Sequence, residues 1–449
     1  MKKQVHRATF DLSGKKVPGI LTLKARRSTL ELWNDEFFHV FGGTLHGTTA
    51  DAKAVSVLDC LESHPTSTSG KEHSGFRGSV RFGLVTVGHG EHLDADDEAV
   101  IAVEFSFEEL EWLSRTGVNG PYSYIPDPDP ALIESLRQHK PDYMPDVGDG
   151  AMLAYFGGET TVLPETPTEI GTVSINRGLN VQVGGGVSFT DMSSVAIDFD
   201  TPLTVHETSD RMNALRHFFG LAMGYLPVVK GAKIATSRRT GRDTRQYPVF
   251  QLDLHCPGER PGSKERLGHR LLDCNGQPRK DELRTVLTSW FTRNANQERR
   301  DANWRFFDCF FEGRHFSINR TIAAANMFDL LPKSDWPHSK MKDLKRKIRH
   351  KAESVRHAIG ANRLARLEEV VDHAVDCRNH YVHGTPAKLD YNRVHVQAFL
   401  TDTLEFVYGV AELIECGWNA QRLADLQPGD HPFASYLKVY DLQLNRSGI

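Results

Sequence analysis

The stretch "YPVFQLDLHCPGERPGSKERLGHR", residues 247–270, is where the chain changes character. Its first part, "YPVFQLDLH" (247–255), reads as the last of a long series of strands, and "CPGERPGSKERLGHR" gathers proline, glycine and charge into a loop. Beyond the loop, apolar residues recur at intervals of three and four instead of two, the mark of helices. A domain boundary is expected at 256–280, with a β-rich N-terminal domain over 1–260 and an α-helical domain over 281–449. The expected fold class is α+β, a β-rich domain followed by an all-α helical bundle.

Working back from the loop, "GILTLKA", "STLELW", "KAVSVLD", "FRGSVRFGLVTVG" and "EAVIAVEFSF" alternate with a period of two between Gly, Asp or Ser turns. "SFEELEWLS" (106–114) predicts a short helix, and "GPYSYIPDPDPALIESL" a proline-rich loop running into another. Strands resume with "GTVSIN", "LNVQVGG", "GVSFT" and "SVAIDFD". "SDRMNALRHFFGLAMGYL" (209–226) predicts a helix capped by Ser or Asp and stopped at Pro227. Working forward, the spacing predicts helices near 281–297, 300–312, 316–331, 338–358, 361–383, 392–416 and 433–443. No period of 20–50 residues repeats, so a solenoid is excluded.

Composition narrows the class. With 449 residues the chain exceeds one compact core, and 39% hydrophobic with 25% charged residues is ordinary for a globular protein. The formal charge of −4 gives no global sign of a nucleic-acid partner, so any basic surface is local. The six cysteines show no CxxC pair, which suits reduced thiols in a cytosol. "MKKQVHRATFDLSGKK" lacks an apolar core for a signal peptide, and no run of 18 apolar residues occurs, so a soluble cytoplasmic protein is expected.

Chemistry concentrates in "VDCRNHYVHGTPAK", where Arg378, Asn379, His380 and His383 fill six positions before Gly384 and Pro386 stop a helix. A bare Arg-x4-His is expected about 1.6 times by chance in such a chain, so the spacing alone carries nothing. Context carries more. Leu364, Leu367, Val371 and Ala374 form an apolar stripe whose next position is Arg378, so its guanidinium faces a core or an interface. A buried ion pair is the plain alternative. His383 lies in the last turn, placed to act as general acid or base. Arg378 and His383 are about 140° apart on a straight helix, so their convergence calls for an unwound last turn or a second copy of the chain. Asn379 shares a face with His383.

"CRNHYVHG" resembles the RNxxxH signature of HEPN ribonucleases, and "KVPGILTLKARRSTLELW…LHGTTADAKAVSVLDC" with "EFSFEELEWLS" resembles the N-terminal domain of ApeA-like abortive-infection proteins, in which such a domain precedes a HEPN bundle. The resemblance implies a latent anti-phage effector that cuts RNA, plausibly transfer RNA, without a metal or other cofactor, by attack of the RNA's own 2′-hydroxyl. In that reading His383 exchanges protons with the 2′- or 5′-oxygen. Arg378 stabilises charge on the phosphorane, and Asn379 orients His383 or the phosphate. It implies a homodimer or higher homo-oligomer with facing motifs, a phage-derived trigger at the N-terminal domain and no membrane partner. One departure stands out: where many HEPN bundles carry an acidic residue on an earlier helix, "RTIAAANMFDLLP" offers Asn326 and Asp329. The alternative is a catalytically inactive HEPN module for dimerisation or nucleotide binding.

Ten Lys/Arg lie between 340 and 366 against Asp343 and Glu353. Taken alone this is a solvated helix face; upstream of the motif it suits RNA phosphates, with Lys345, Arg346 and Arg349 as contacts. "SRRTGRDTR" (237–245) reads as a basic surface loop. His255, Cys256, His269 and Cys274 fit no zinc spacing, and the pair His380 and His383 lacks a third ligand nearby, so no metal is expected. "VGGGVSF" (183–189) lacks the Lys-Ser/Thr of a phosphate-binding loop, and no GxSxG, HExxH or kinase signature occurs.

Overall fold

The computed structural model describes residues 3–449 except 25–27, 37, 39, 41, 62–65, 70–73, 89–90, 108–109, 111–121, 128, 140–151, 156–160, 184–186, 238–245, 252–270, 273–276, 312–315, 337–342 and 361. Most of the "SFEELEWLS" helix, the basic 237–245 loop, the 256–270 loop and the four residues weighed for zinc therefore lie outside the described residues.

The α+β expectation holds. The N-terminal strands are β1 (Gln4–Leu12), β2 (Lys15–Leu23), β3 (Thr29–Asn34), β4 (Leu45–Thr49), β5 (Ala54–Leu58), β6 (Thr66–Ser69), β7 (Ser74–Val80), β8 (Leu84–Gly88) and β9 (Val100–Phe107). β10 (Tyr122–Ile125), helix α1 (Pro130–His139) and β11 (Met152–Tyr155) follow, then the long strands β12 (Thr161–Thr168), β13 (Gly171–Val183) and β14 (Val187–Leu203). Helix α2 (Val205–Met223), β15 (Val229–Thr236) and β16 (Gln246–Gln251) complete this half. Fourteen strands make one curled antiparallel sheet in the order β12-β13-β14-β9-β15-β16-β8-β5-β4-β1-β2-β3-β7-β6, with β10 and β11 paired apart. The first hairpin turns at Ser13 and Gly14, both at positive φ, while the Asp11 carboxylate accepts from the Gly14 amide.

Helix α2 begins earlier than the Ser209/Asp210 cap read from the sequence. Thr204 and Glu207 form a reciprocal capping box, and Gly224 closes the other end at φ 81°. Ser209 is buried inside the helix instead.

The bundle comprises α3 (Gln277–Asn294), α4 (Gln297–Phe311), α5 (Ile318–Leu330), α6 (Leu344–Ile359), α7 (Leu367–His383), α8 (Val394–Glu415) and α9 (Pro432–Ser447). Helix α8 is its axis: it packs on α4, α5, α6, α7 and α9 and is buried along most of its length. Its inner face carries charge as well. Glu412 accepts from Arg299 of α4 at 2.7 Å and faces Lys351 of α6 at 3.7 Å, while Arg293, Asp335 and Glu415 complete the network. Arg299, Asp335, Lys351 and Glu412 sit in low dielectric and are stable there only because they are paired, while Arg293 and Glu415 reach partly into solvent.

The two halves meet through α2. Phe218 packs against Trp290 and Phe291 of α3, and His217 stacks on Phe307 of α4 with ring centroids 4.8 Å apart. His431, which caps α9, donates from Nε2 to the Leu221 carbonyl at 2.9 Å, and Trp418 donates to the Leu271 carbonyl at 3.0 Å. One hydrophobic core consequently runs from β9 and β14 through α2 into the bundle, and a second, purely β core lies among β1–β5, β7 and β8. The described cysteines Cys60, Cys309, Cys377 and Cys416 are buried and form no disulfide. Among the described residues no helix is long and apolar enough to cross a membrane.

Candidate functional site

Helix α7 carries the Arg-Asn-His motif. It starts at Leu367, not near 361, because Arg366 adopts the left-handed conformation at φ 62°, pairs with Glu369 and donates to the Ile449 carbonyl at 2.9 Å. Leu364, Leu367, Val371 and Ala374 are fully buried, as the stripe predicts. Arg378 follows them half-buried, and Val382 emerges to 42% exposure. Gly384 ends the helix at φ +67°, its amide donating to the His380 carbonyl at 3.0 Å.

Arg378 and His383 meet within one chain. Arg378 Nη1 donates to His383 Nε2 at 2.8 Å and to Asn379 Oδ1 at 3.0 Å, and Nε donates to Asn326 Oδ1 of α5 at 3.3 Å. This corrects the expectation that convergence needs an unwound turn or a second copy. The helix stays regular through His383, and the long arginine side chain spans the angular gap by itself. Since arginine can only donate, His383 Nε2 is the acceptor in this bond. Asn379 holds the guanidinium rather than His383, although the two share a helix face. Among the described residues no carboxylate pairs with Arg378, so the buried ion pair weighed from the sequence is absent.

The carboxylates around the motif are engaged elsewhere. Lys345 of α6 and Lys388, beyond the helix, both reach Asp376 at 2.7 Å. Burial pushes the Asp376 carboxyl up, but hydrogen bonds from Lys345 and Lys388 outweigh it and hold the group below the usual carboxylate range. Arg349 grips Asp372 as a two-pronged pair that raises its own pKa, and Lys347 takes Asp329 at 2.9 Å. Of the three cations expected to touch RNA, Lys345 and Arg349 thus tie α6 to α7. Arg346 stands 76% exposed, with Asp343 at 3.8 Å.

The neighbouring histidine has a different job. His380 Nδ1 donates to the Thr385 carbonyl at 2.7 Å and its ring packs edge-on against Tyr381, so it fixes the chain leaving the helix. Asp335, Glu412 and Glu415 bring their oxygens close together, but Arg293, Arg299 and Lys351 already occupy them. Asn326 could be placed beside the motif by sequence only through the resemblance; the α5–α7 contact that makes it a partner of Arg378 is tertiary.

Residues 8–230, from β1 through α2 to the start of β15, match the family model of the ApeA N-terminal domain 1. The chain carries an ApeA-like N-terminal domain. Such a domain suggests an ApeA-type anti-phage defence protein. Through α2, the ApeA-like domain shares its core with the helical bundle that holds the Arg378 site. No curated protein and no solved structure matches the chain.

Proposed function

We propose that the helical half is a HEPN-type endoribonuclease that cuts RNA without a metal, held latent until the ApeA-like domain meets a phage-derived trigger. The observation that carries this reading is the bond from Arg378 to His383 at a helix end, made by an arginine with no carboxylate partner among the described residues. An incoming phosphate supplies the anion this arginine lacks, and its arrival frees His383 Nε2. The neutral imidazole then takes the proton of the 2′-hydroxyl. The 2′-oxygen bonds to phosphorus as the bond to the 5′-oxygen breaks, and the imidazolium or water returns a proton to the leaving oxygen. Arg378 steadies the charge that builds on the phosphoryl oxygens. The products are a 2′,3′-cyclic phosphate and a 5′-hydroxyl.

Arg346 is the exposed cation that RNA meets first, with Lys345 and Arg349 able to exchange carboxylate for phosphate. Transfer RNA is the substrate the resemblance favours. Pairing of two bundles through the α7 and α8 ends would cover Val382 and Val394, the latter 67% exposed. The reading of the bundle as a catalytically silent dimerisation or nucleotide-binding module draws on one observation, the commitment of Lys345 and Arg349 to α7 carboxylates.

The test compares wild type, Arg378→Ala and His383→Ala in cells with and without phage, scoring survival and intact RNA. Infection-dependent cleavage confined to the wild type supports the nuclease. Identical behaviour of three folded proteins favours the silent module.

A further inference from the structure

We infer that Asn326 is a positioning residue, one that fixes the Arg378 guanidinium without cancelling its charge; this rests on the nuclease reading of the site. Asn326 lies on α5, half-buried, with Oδ1 3.3 Å from Arg378 Nε. Asn379 and His383 accept from Nη1. The two amide oxygens of Asn326 and Asn379 therefore fix the plane of the guanidinium through Nε and Nη1, and the phosphate takes the Nη1 hydrogen that His383 gives up together with Nη2. The acids that might have neutralised it are held by other cations: Asp329 by Lys347, Asp372 by Arg349, and Asp376 by Lys345 and Lys388. The cations of α6 keep these carboxylates occupied, and an amide at 326 keeps Arg378 positive.

A carboxylate at 326 would make a stronger, charge-assisted bond to Nε and a weaker phosphate site. A purely structural role predicts the opposite, with binding and cleavage following stability.

The experiment uses the full chain as wild type, Asn326→Asp and Asn326→Ala. Each is measured for thermal stability, for affinity toward a fluorescent 2′-deoxy oligonucleotide that cannot be cleaved, and, after activation by an extract of phage-infected cells with the extract alone as blank, for kcat and KM on RNA. Asn326→Asp is expected to keep or raise the melting temperature while losing roughly tenfold or more in oligonucleotide affinity, the scale of one charged hydrogen bond. Asn326→Ala keeps the charge but frees the guanidinium, so kcat falls more than KM rises. Wild-type affinity and cleavage in folded Asn326→Asp overturn the inference, as does activity that follows melting temperature across the variants. A wild type that binds the oligonucleotide but cuts no RNA even in phage-infected cells, with binding still weakened by Asn326→Asp, removes the nuclease reading and leaves the positioning role standing. A wild type that binds no oligonucleotide overturns both.

Discussion

Gly384 shows how one residue's backbone sets the reach of a side chain. It sits at φ +67°, and a Cβ placed there would meet nothing within 4 Å, so a substitution is resisted by backbone conformation rather than by crowding. Gly384→Val should cost about 1–2 kcal/mol by chemical denaturation, the penalty of a left-handed L-residue. Because His383 is the last residue of α7, the same change should also lower RNA cleavage; Gly384→Asn, which tolerates that conformation, should cost far less. Much of the residue-scale site was legible beforehand: the buried stripe, the stop at Gly384 and the inward Arg378. The meeting of Arg378 and His383 was not, because helical angles locate Cα atoms and take no account of an arginine's long, rotatable side chain.

At the scale of elements, α6 and α7 are held by matched charge. Asp376 receives both Lys345 and Lys388, whose side chains are 26% and 59% exposed, so removing the carboxylate costs at most about 1 kcal/mol. It should nonetheless release two cations next to α7, one on α6 and one just beyond the end of α7. Asp376→Asn is expected to tighten RNA binding and to steepen its dependence on salt, read by titration at two or more ionic strengths. An unchanged salt slope would mean that these lysines do not reach the backbone. Counting ten Lys/Arg along one segment could not reveal this pairing, since the partners lie on α5 and α7. The helices themselves were largely legible from period and caps. Three starts were missed for local reasons: Arg366 turning left-handed ahead of α7, the Thr204 capping box ahead of α2, and the Asp343 cap that starts α6 at Leu344 instead of 338.

Across the whole molecule, the Pro-, Gly- and charge-rich stretch at 256–270 separates two kinds of sequence but not two cores. Helix α2 belongs to the ApeA-like domain and packs into the bundle, a contact no periodicity could signal. His217 lies at that junction among Trp304, Phe307 and Phe311, where burial and then the neighbouring Arg216 push its pKa down to about 4. Between that value and its ordinary 6.5 the folded chain keeps the ring neutral while the unfolded chain binds a proton. Stability is therefore lost as pH falls through 6.5 toward 4, and His217→Phe should flatten this part of a plot of melting temperature against pH. Deeper in the bundle, Glu412→Ala leaves buried Arg299 and Lys351 short of an anion and should destabilise by about 3 kcal/mol or more.

The central claim is that Arg378 and His383 of one chain cleave RNA without a metal. Its most direct test maps RNA ends in phage-infected cells expressing wild type, Arg378→Ala or His383→Ala, and repeats the cleavage with purified activated protein in EDTA. The account predicts 2′,3′-cyclic phosphate and 5′-hydroxyl ends that persist in EDTA and vanish in both variants. Ends bearing 5′-phosphate, cleavage abolished by EDTA, or equal cleavage by folded Arg378→Ala would contradict it.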